Sequence, residues 1–249
     1  MKVLNEIDAE EIIKALRLNG FVILDIEQEK HDRITRELEA ILGASKFESL
    51  HESIEVEDLN TYRLELISRL TKENLYTDLL LHEFDFLISS LVGMDVAIQK
   101  TPGLSLQLPH DESSLLPMHS DSLVGNSPYE LVLWHPITEA INSSAMYILP
   151  LEKSLEIYNK KLFIENSIED IYNQYSPDFV ELNIVPGQLL IFSHNLLHGN
   201  RINNSSKTRV SINTRIKNLF TPYGNKELGS YFRKARFSIA AELGVKFDS

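Results

Sequence analysis

Two hydrophobic rhythms divide this chain at Gly93. Before it, apolar residues recur every three or four positions; after it, they come in short runs cut by Pro, Gly, Asn and Ser. Asp8 followed by Glu11 matches a capping box ahead of Ile12, Ile13 and Leu16, and Gly20 stops the turn, which predicts a helix over 8–19. The run FVILDI, 21–26, then predicts a buried strand. Further helices are predicted over 29–42, ending at Gly43, over 60–72, and over 76–91, where Leu79, Leu80, Phe84, Leu87 and Leu91 share one face.

Beyond Gly93 the runs DVAIQK, LSLQL, ELVLWHPI, AMYILP, FVELNIV, LLIFS and RVSINTRI predict strands. A helical insert rich in Lys, Glu and Asn lies between Leu151 and Pro177, and SYFRKARFSIAAEL predicts a closing helix. Many short strands with tight turns and flanking helices predict a mainly β fold, a double-stranded β-helix (jelly roll, cupin-like) with a helical N-terminal region. With no linker or repeat in the 249 residues, the expectation is a single domain: a helical part over about 1–93, a jelly-roll core over about 94–217 and a C-terminal helix over about 229–243.

Composition narrows the chemistry. The net charge of −12 argues against a nucleic-acid or anionic-lipid partner. Without cysteine there is neither a disulfide framework nor a thiolate metal site, so any metal must be held by His, Asp, Glu or backbone oxygen. The first twenty residues carry four acids and three bases without an apolar signal stretch, and no run of about 18 apolar residues occurs. A cytoplasmic protein with no membrane segment is therefore expected, acting on a small molecule; its oligomeric state is not legible.

Candidate chemistry lies in LPMHSDS, PGQLLIFSHNLLHGN and RVSINTRI. On an extended strand His119 and Asp121 point to one side, at a separation one metal can bridge, and His198 supplies a third donor. Two histidines and one carboxylate leave metal positions open, the arrangement of non-haem Fe(II) sites. Among eight histidines, His110 beside Asp111 and Glu112 is a rival pair. His194 with His198 imitates a helical zinc pair, but Asn195 stands where that motif needs a Glu and the preceding run is strand-like. The strand that follows alternates Arg209, Ser211, Asn213 and Arg215 against Val210, Ile212, Thr214 and Ile216. An inward Arg is costly unless a buried anion pairs with it, so Arg209 is either a carboxylate anchor for a ligand or the partner of a protein carboxylate.

On PMHSD, the PGQLLIF-to-LLHGN segment and Arg209-Val210-Ser211 eleven residues past His198, the chain resembles the 2-oxoglutarate- and Fe(II)-dependent oxygenases, in their phytanoyl-CoA hydroxylase-like branch. LSLQLPHDESSLLPMHSDS and ELVLWHPITEA are also similar to the small oxygenases of carbohydrate and aminoglycoside biosynthesis clusters. The resemblance implies that His119, Asp121 and His198 bind Fe(II), and that Arg209 with Ser211 holds the distal carboxylate of 2-oxoglutarate. It further implies O2 as co-reactant and succinate and CO2 as co-products. Related halogenases lack a carboxylate at the position of Asp121, so its presence favours hydroxylation, or desaturation or ring closure. Leu151-Glu152-Lys153-Ser154 replaces the Pro-Gly-Ser-His stretch common in phytanoyl-type enzymes, which argues against a fatty acyl-CoA substrate.

Gln107 and Trp134 are read as inward residues able to touch the cosubstrate, with core packing as the plainer role for Trp134. Asn60 and Arg63 could reach a polar substrate or belong to a solvated helix face, and His135 and His110 are read as structural or pocket-lining. The expected function is dioxygenase chemistry on a small polar metabolite of the sugar or sugar-derivative type. Two alternatives stay open: a cupin-type metal isomerase, lyase or hydrolase without O2 chemistry, and a non-catalytic binding module.

Overall fold

The computed structural model describes residues 2–43 and 46–247. In chain order the strands and helices are β1 (Leu4–Asn5), α1 (Ala9–Asn19), β2 (Phe21–Asp25), α2 (Gln28–Leu42), α3 (Val56–Thr71), α4 (Leu75–Glu83), α5 (Asp85–Val92), β3 (Val96–Gln99), β4 (Gly103–Gln107), β5 (Leu131–Pro136), β6 (Met146–Ile148), α6 (Leu151–Asn159), α7 (Ile168–Tyr175), β7 (Val180–Leu182), β8 (Gln188–Ser193), β9 (His198–Asn200), β10 (Arg209–Asn218), β11 (Phe232–Arg236) and α8 (Ile239–Gly244). Helices hold 44% of the residues and strands 23%, yet the strands form the frame on which the candidate residues sit. None of the described helices is long and apolar enough to cross a membrane.

The large sheet has the order β1-β2-β8-β5-β10-β3-β11, with β4 also on β10, and it faces a small sheet ordered β7-β6-β9. Together they make a double-stranded β-helix. Strand β10 is its spine: one edge pairs with β5 over Ser211–Ile216, while the other takes β4 over Arg209–Asn213 and then β3 over Ile216–Asn218.

Strict alternation divides each long strand between two cores. Phe21 and Ile23, Val132 and Trp134, and Leu190 and Phe192 pack between the sheets against Met146, Ile148, Leu182 and Ile184. Their neighbours Val22, Leu24, Leu133, Leu189 and Ile191 face the other way, onto Ile12, Ile34, Leu38, Leu66, Leu70 and Leu80 of the helices. Burial on both faces explains why β2, β5 and β8 read as continuous apolar runs. Strand β10 departs from this: Val210, Ile212 and Ile216 join the helical core, and its inward positions are polar.

Three sequence expectations are corrected. The helix expected over 76–91 is two, because Phe84 leaves helical conformation (φ −115°, ψ 26°) to bury its ring, with Lys30 Nζ 5.0 Å above it. The C-terminal helix expected over 229–243 is strand β11 followed by the short α8. The alternation in FRKAR lets Phe232 fill a pocket beside Ala97 and Leu219 while its backbone pairs with β3. The sheet also reaches outside 94–217, since β2 pairs along its full length with β8, from Phe21↔Phe192 to Asp25↔Gln188.

Gly20 ends α1 in the left-handed region (φ 80°), donating its N–H to the Leu16 carbonyl, and a Cβ there would lie 2.8 Å from a Leu196 methyl. Gly20→Ala is expected to destabilise the protein by about 1–3 kcal/mol, since both backbone strain and a clash arise. Urea unfolding checks this; an unchanged midpoint would show that the turn is not constrained.

Candidate metal centre

His198 opens β9, and His119 lies opposite it in an isolated antiparallel bridge whose two N–H···O bonds are each 2.9 Å. The chain is extended at Ser120 (φ −132°, ψ 134°) and coils into a 3-10 turn, Asp121–Val124, so the His119 and Asp121 side chains reach the same place. The donor atoms of His119, Asp121 and His198 lie within 4.8 Å of one another, with His119 Nε2 3.8 Å from Asp121 Oδ1. No other cluster of three potential ligands occurs among the described residues.

The hydrogen bonding suits metal binding. His119 Nδ1 donates to the Pro117 carbonyl and His198 Nδ1 to the Leu196 carbonyl, each at 2.8 Å, which leaves both Nε2 lone pairs free. Burial, with the nearby His119, pushes His198 down to about 4, so its imidazole is neutral at pH 7. Burial raises the Asp121 carboxyl, but Arg215 and the neighbouring histidines outweigh it and hold the group below the usual carboxylate value. Two imidazole nitrogens and a carboxylate fit a divalent ion such as Fe(II), with coordination positions to spare.

Arg215, to which the sequence assigns no role, bonds Asp121 Oδ2 at 2.5 Å, leaving Oδ1 toward the histidines. Its guanidinium is held in turn by the Tyr231 hydroxyl at 3.0 Å and Gln99 Oε1 at 3.3 Å. The pairing of β3 with both β10 and β11 brings these together, so no local signal marks them. Asn200 is a second residue missed: it accepts from the Leu116 N–H at 2.5 Å and donates to the Ser114 carbonyl at 3.2 Å, clamping the 114–116 turn beside His198.

Arg209 is 3% exposed and has no carboxylate partner among the described residues. Its Nε and Nη2 donate to Gln107 Oε1 at 3.1 and 3.0 Å, and its Nη1 donates to Ser211 Oγ at 2.8 Å and Ser105 Oγ at 3.2 Å. Burial alone pushes the guanidinium down to about 10. Of the two readings open for Arg209, pairing with a protein carboxylate is not what the structure shows. Arg209 opens instead on a cavity of about 130 Å³ shared with His119, Asp121 and His198 and walled by Trp134, Phe192 and Met146.

The remaining candidates separate cleanly. Trp134 lines the cavity, with the Arg209 guanidinium 5.9 Å from its ring. Gln107 is not among the residues lining the cavity: its oxygen serves Arg209 and its nitrogen donates to the Arg201 carbonyl, so it holds the guanidinium from behind. Ser105, unremarked in the sequence, is the lining hydroxyl; the register Ser211↔Ser105 places it. His194 is fully buried behind Asp121, donating to the Ser127 carbonyl at 2.6 Å, and is not among the clustered donors. His110 sits exposed in a left-handed turn (φ 58°), and Asp111 caps the next turn through the Ser113 N–H. Arg63 bonds Asn60 on the face of α3, at 2.8 Å. His135 points out of the β-helix toward His31, into a separate hollow of about 630 Å³.

No family model and no curated protein matches this sequence. Solved structures match its fold. AviO1 from Streptomyces viridochromogenes Tue57 is 14% identical with a TM-score of 0.57, over 87% of this chain and 98% of that one. The non-haem α-ketoglutarate-dependent carbocyclase SnoK from nogalamycin biosynthesis is 15% identical with a TM-score of 0.54, over 95% and 92%. HygX from Streptomyces hygroscopicus, solved with nickel and 2-oxoglutarate bound, is 10% identical with a TM-score of 0.54, over 86% and 88%. At such identities the likeness is one of fold.

Two outcomes follow from this geometry. Arg215→Met is expected to weaken metal binding by about 10- to 100-fold, because Asp121 loses the group that orients it; metal titration by calorimetry checks this, and an unchanged affinity would reduce Arg215 to a packing residue. His135, pushed down to about 4 by burial and then by His31, contributes stability that is fully present above its unfolded value of about 6.5 and drains as pH falls toward 4. Between pH 7 and 4.5 the wild type should therefore lose on the order of 2–3 kcal/mol more than His135→Gln, measured by urea midpoints; equal losses would show that His135 titrates normally.

Proposed function

We propose that this chain is a non-haem Fe(II)- and 2-oxoglutarate-dependent oxygenase that hydroxylates a small polar metabolite of the sugar or sugar-derivative type. One observation carries the reading: a buried guanidinium without a carboxylate partner among the described residues opens on the same small cavity as a two-histidine, one-carboxylate cluster. A dicarboxylate keto acid matches both ends of that cavity. Its far carboxylate suits the Arg209 fork and the Ser105 hydroxyl that lines the cavity, with Ser211 bonded to the guanidinium beside them, and its keto acid end suits a metal held by the three donors.

When bound, the iron with 2-oxoglutarate and O2 supplies the oxidant, and 2-oxoglutarate leaves as succinate and CO2. The protein's share is placement and exclusion. His119 and His198 present fixed lone pairs, Arg215 aims Asp121, and Trp134, Val132, Met146 and Phe192 keep the cavity dry. Asp121 fills the third donor position with a carboxylate, which supports hydroxylation over halide transfer. Leu116 lines the cavity and is 51% exposed, with Leu115 beside it, so the 114–116 turn marks the side open to substrate. The small-molecule class is supported by SnoK's part in nogalamycin biosynthesis, and the sugar-like character by the LSLQLPHDESSLLPMHSDS resemblance.

Anaerobic Fe(II) and 2-oxoglutarate together are expected to give a weak visible absorption band with the wild type. Arg209→Met should raise the 2-oxoglutarate concentration needed by about 100-fold, since a charged hydrogen-bonding anchor is lost, while His119→Ala should abolish the band. A wild-type protein with confirmed iron and no band would refute the reading, and substrate turnover without O2 would favour a redox-silent metal isomerase or lyase.

A further inference from the structure

The inward face of β10 carries Arg209, Ser211, Asn213 and Arg215; Arg209 and Ser211 are held by protein partners, and so is the Arg215 guanidinium except at its Nε. Asn213 differs. It lines the cavity shared by the metal donors and Arg209, yet its carboxamide oxygen is buried without a hydrogen-bond partner among the described residues. The carboxamide nitrogen also lacks a protein hydrogen-bond partner among the described residues, and unlike the oxygen it is not sealed. Along the strand Asn213 lies four residues beyond Arg209 and two before Arg215, which grips Asp121, so it stands between the anion anchor and the metal donors.

The neighbouring strand makes room for it. Across β10 and β4 the inward pairs are Arg209↔Gln107, Ser211↔Ser105 and Asn213↔Gly103, so the side chain facing each β10 residue shrinks toward the metal end. A Cβ on Gly103 would overlap the Asn213 carboxamide oxygen. Gly103 is not in the left-handed region, so its lack of a side chain answers a need for space rather than for an unusual backbone.

We propose that Asn213 is a cosubstrate-positioning residue whose carboxamide donates a hydrogen bond to 2-oxoglutarate near the metal donors, in a clearance that Gly103 provides. The inference rests on the oxygenase reading above. 2-Oxoglutarate carries two carboxylates and a keto group at neutral pH, acceptors only. The oxygen is the carboxamide atom nearest Gly103 and is seated in the space that glycine leaves, so the nitrogen, which has no protein hydrogen-bond partner among the described residues, is the end that keeps an N–H for a ligand. With the far carboxylate served by Arg209 and Ser105, that N–H is the donor available to the near carboxylate.

Calorimetric titration of 2-oxoglutarate into Ni(II)-loaded protein tests this without turnover. Asn213→Ala should weaken 2-oxoglutarate by about tenfold while leaving Ni(II) affinity and the thermal midpoint near wild type, because no protein contact is lost. Gly103→Ala, which keeps Asn213 but displaces its amide, should weaken 2-oxoglutarate to a similar degree, and the double variant should bind no worse than Asn213→Ala alone. Wild-type affinity in Asn213→Ala, or a Gly103→Ala effect that persists undiminished without Asn213, would overturn the proposal while leaving the oxygenase reading intact. Failure of the wild type to bind 2-oxoglutarate at all would overturn both.

Discussion

A guanidinium buried inside the β-helix with no carboxylate among the described residues to neutralise it is the constraint to which the rest of the molecule answers. Arg209 has three hydrogen-bond acceptors, the oxygens of Gln107, Ser105 and Ser211, all neutral. Neutral dipoles fix its direction and offset part of its desolvation, but they leave its charge standing in a low-dielectric enclosure. Proteins with a surplus of acidic groups, as here at −12, do not lack carboxylates to place beside an arginine. Leaving this one unpaired at the end of a cavity is what the proposed 2-oxoglutarate site would need.

The same strand explains how such a face is tolerated. Val210, Ile212 and Ile216 anchor β10 in the helical core, while β4, β3 and β5 occupy its two edges. Its backbone is thus satisfied on both sides and its outward face buried, so the polar inward row is carried by a strand that cannot shift register without driving Arg209 and Arg215 into the apolar helices. The helices before Gly93 never reach the metal donors. They are what makes the register of β10, and so the spacing of the site, costly to change.

Much of this was legible in the sequence where periodicity is local. The alternation in RVSINTRI separates an inward polar row from an outward apolar one, and the structure keeps that division. His119, Asp121 and His198 were legible as donors by type and spacing, and the structure gathers them. What escaped depends on pairing between distant strands. Ser105 becomes a partner of Arg209 only through the β4–β10 register, and Arg215 meets Tyr231 only because FRKAR and its preceding turn join the sheet instead of a helix. Gln107 was legible as an inward residue of its strand, but not its bond to Arg209, because a strand pattern tells which side a residue faces and not what already stands there. Phe84 broke a helix whose apolar spacing looked unbroken, since the preference of one ring for a buried pocket is a tertiary fact.

The His119, Asp121 and His198 cluster and Arg209, the proposed metal donors and anion anchor, are not independent parts of this architecture. Asp121 owes its orientation to Arg215, and Arg215 and Arg209 are six residues apart on one extended strand, so the distance between the metal end and the anion end of the cavity is set by β10's pleat. The histidines are fixed to each other separately, by a backbone bridge between the 119 segment and β9. Two rigid pieces therefore meet at a single carboxylate: the histidine pair on one side, the arginine strand on the other. A ligand that spans from the metal donors to Arg209 measures the spacing between those pieces, and this makes length, as much as charge, the property by which the cavity would choose among dicarboxylates.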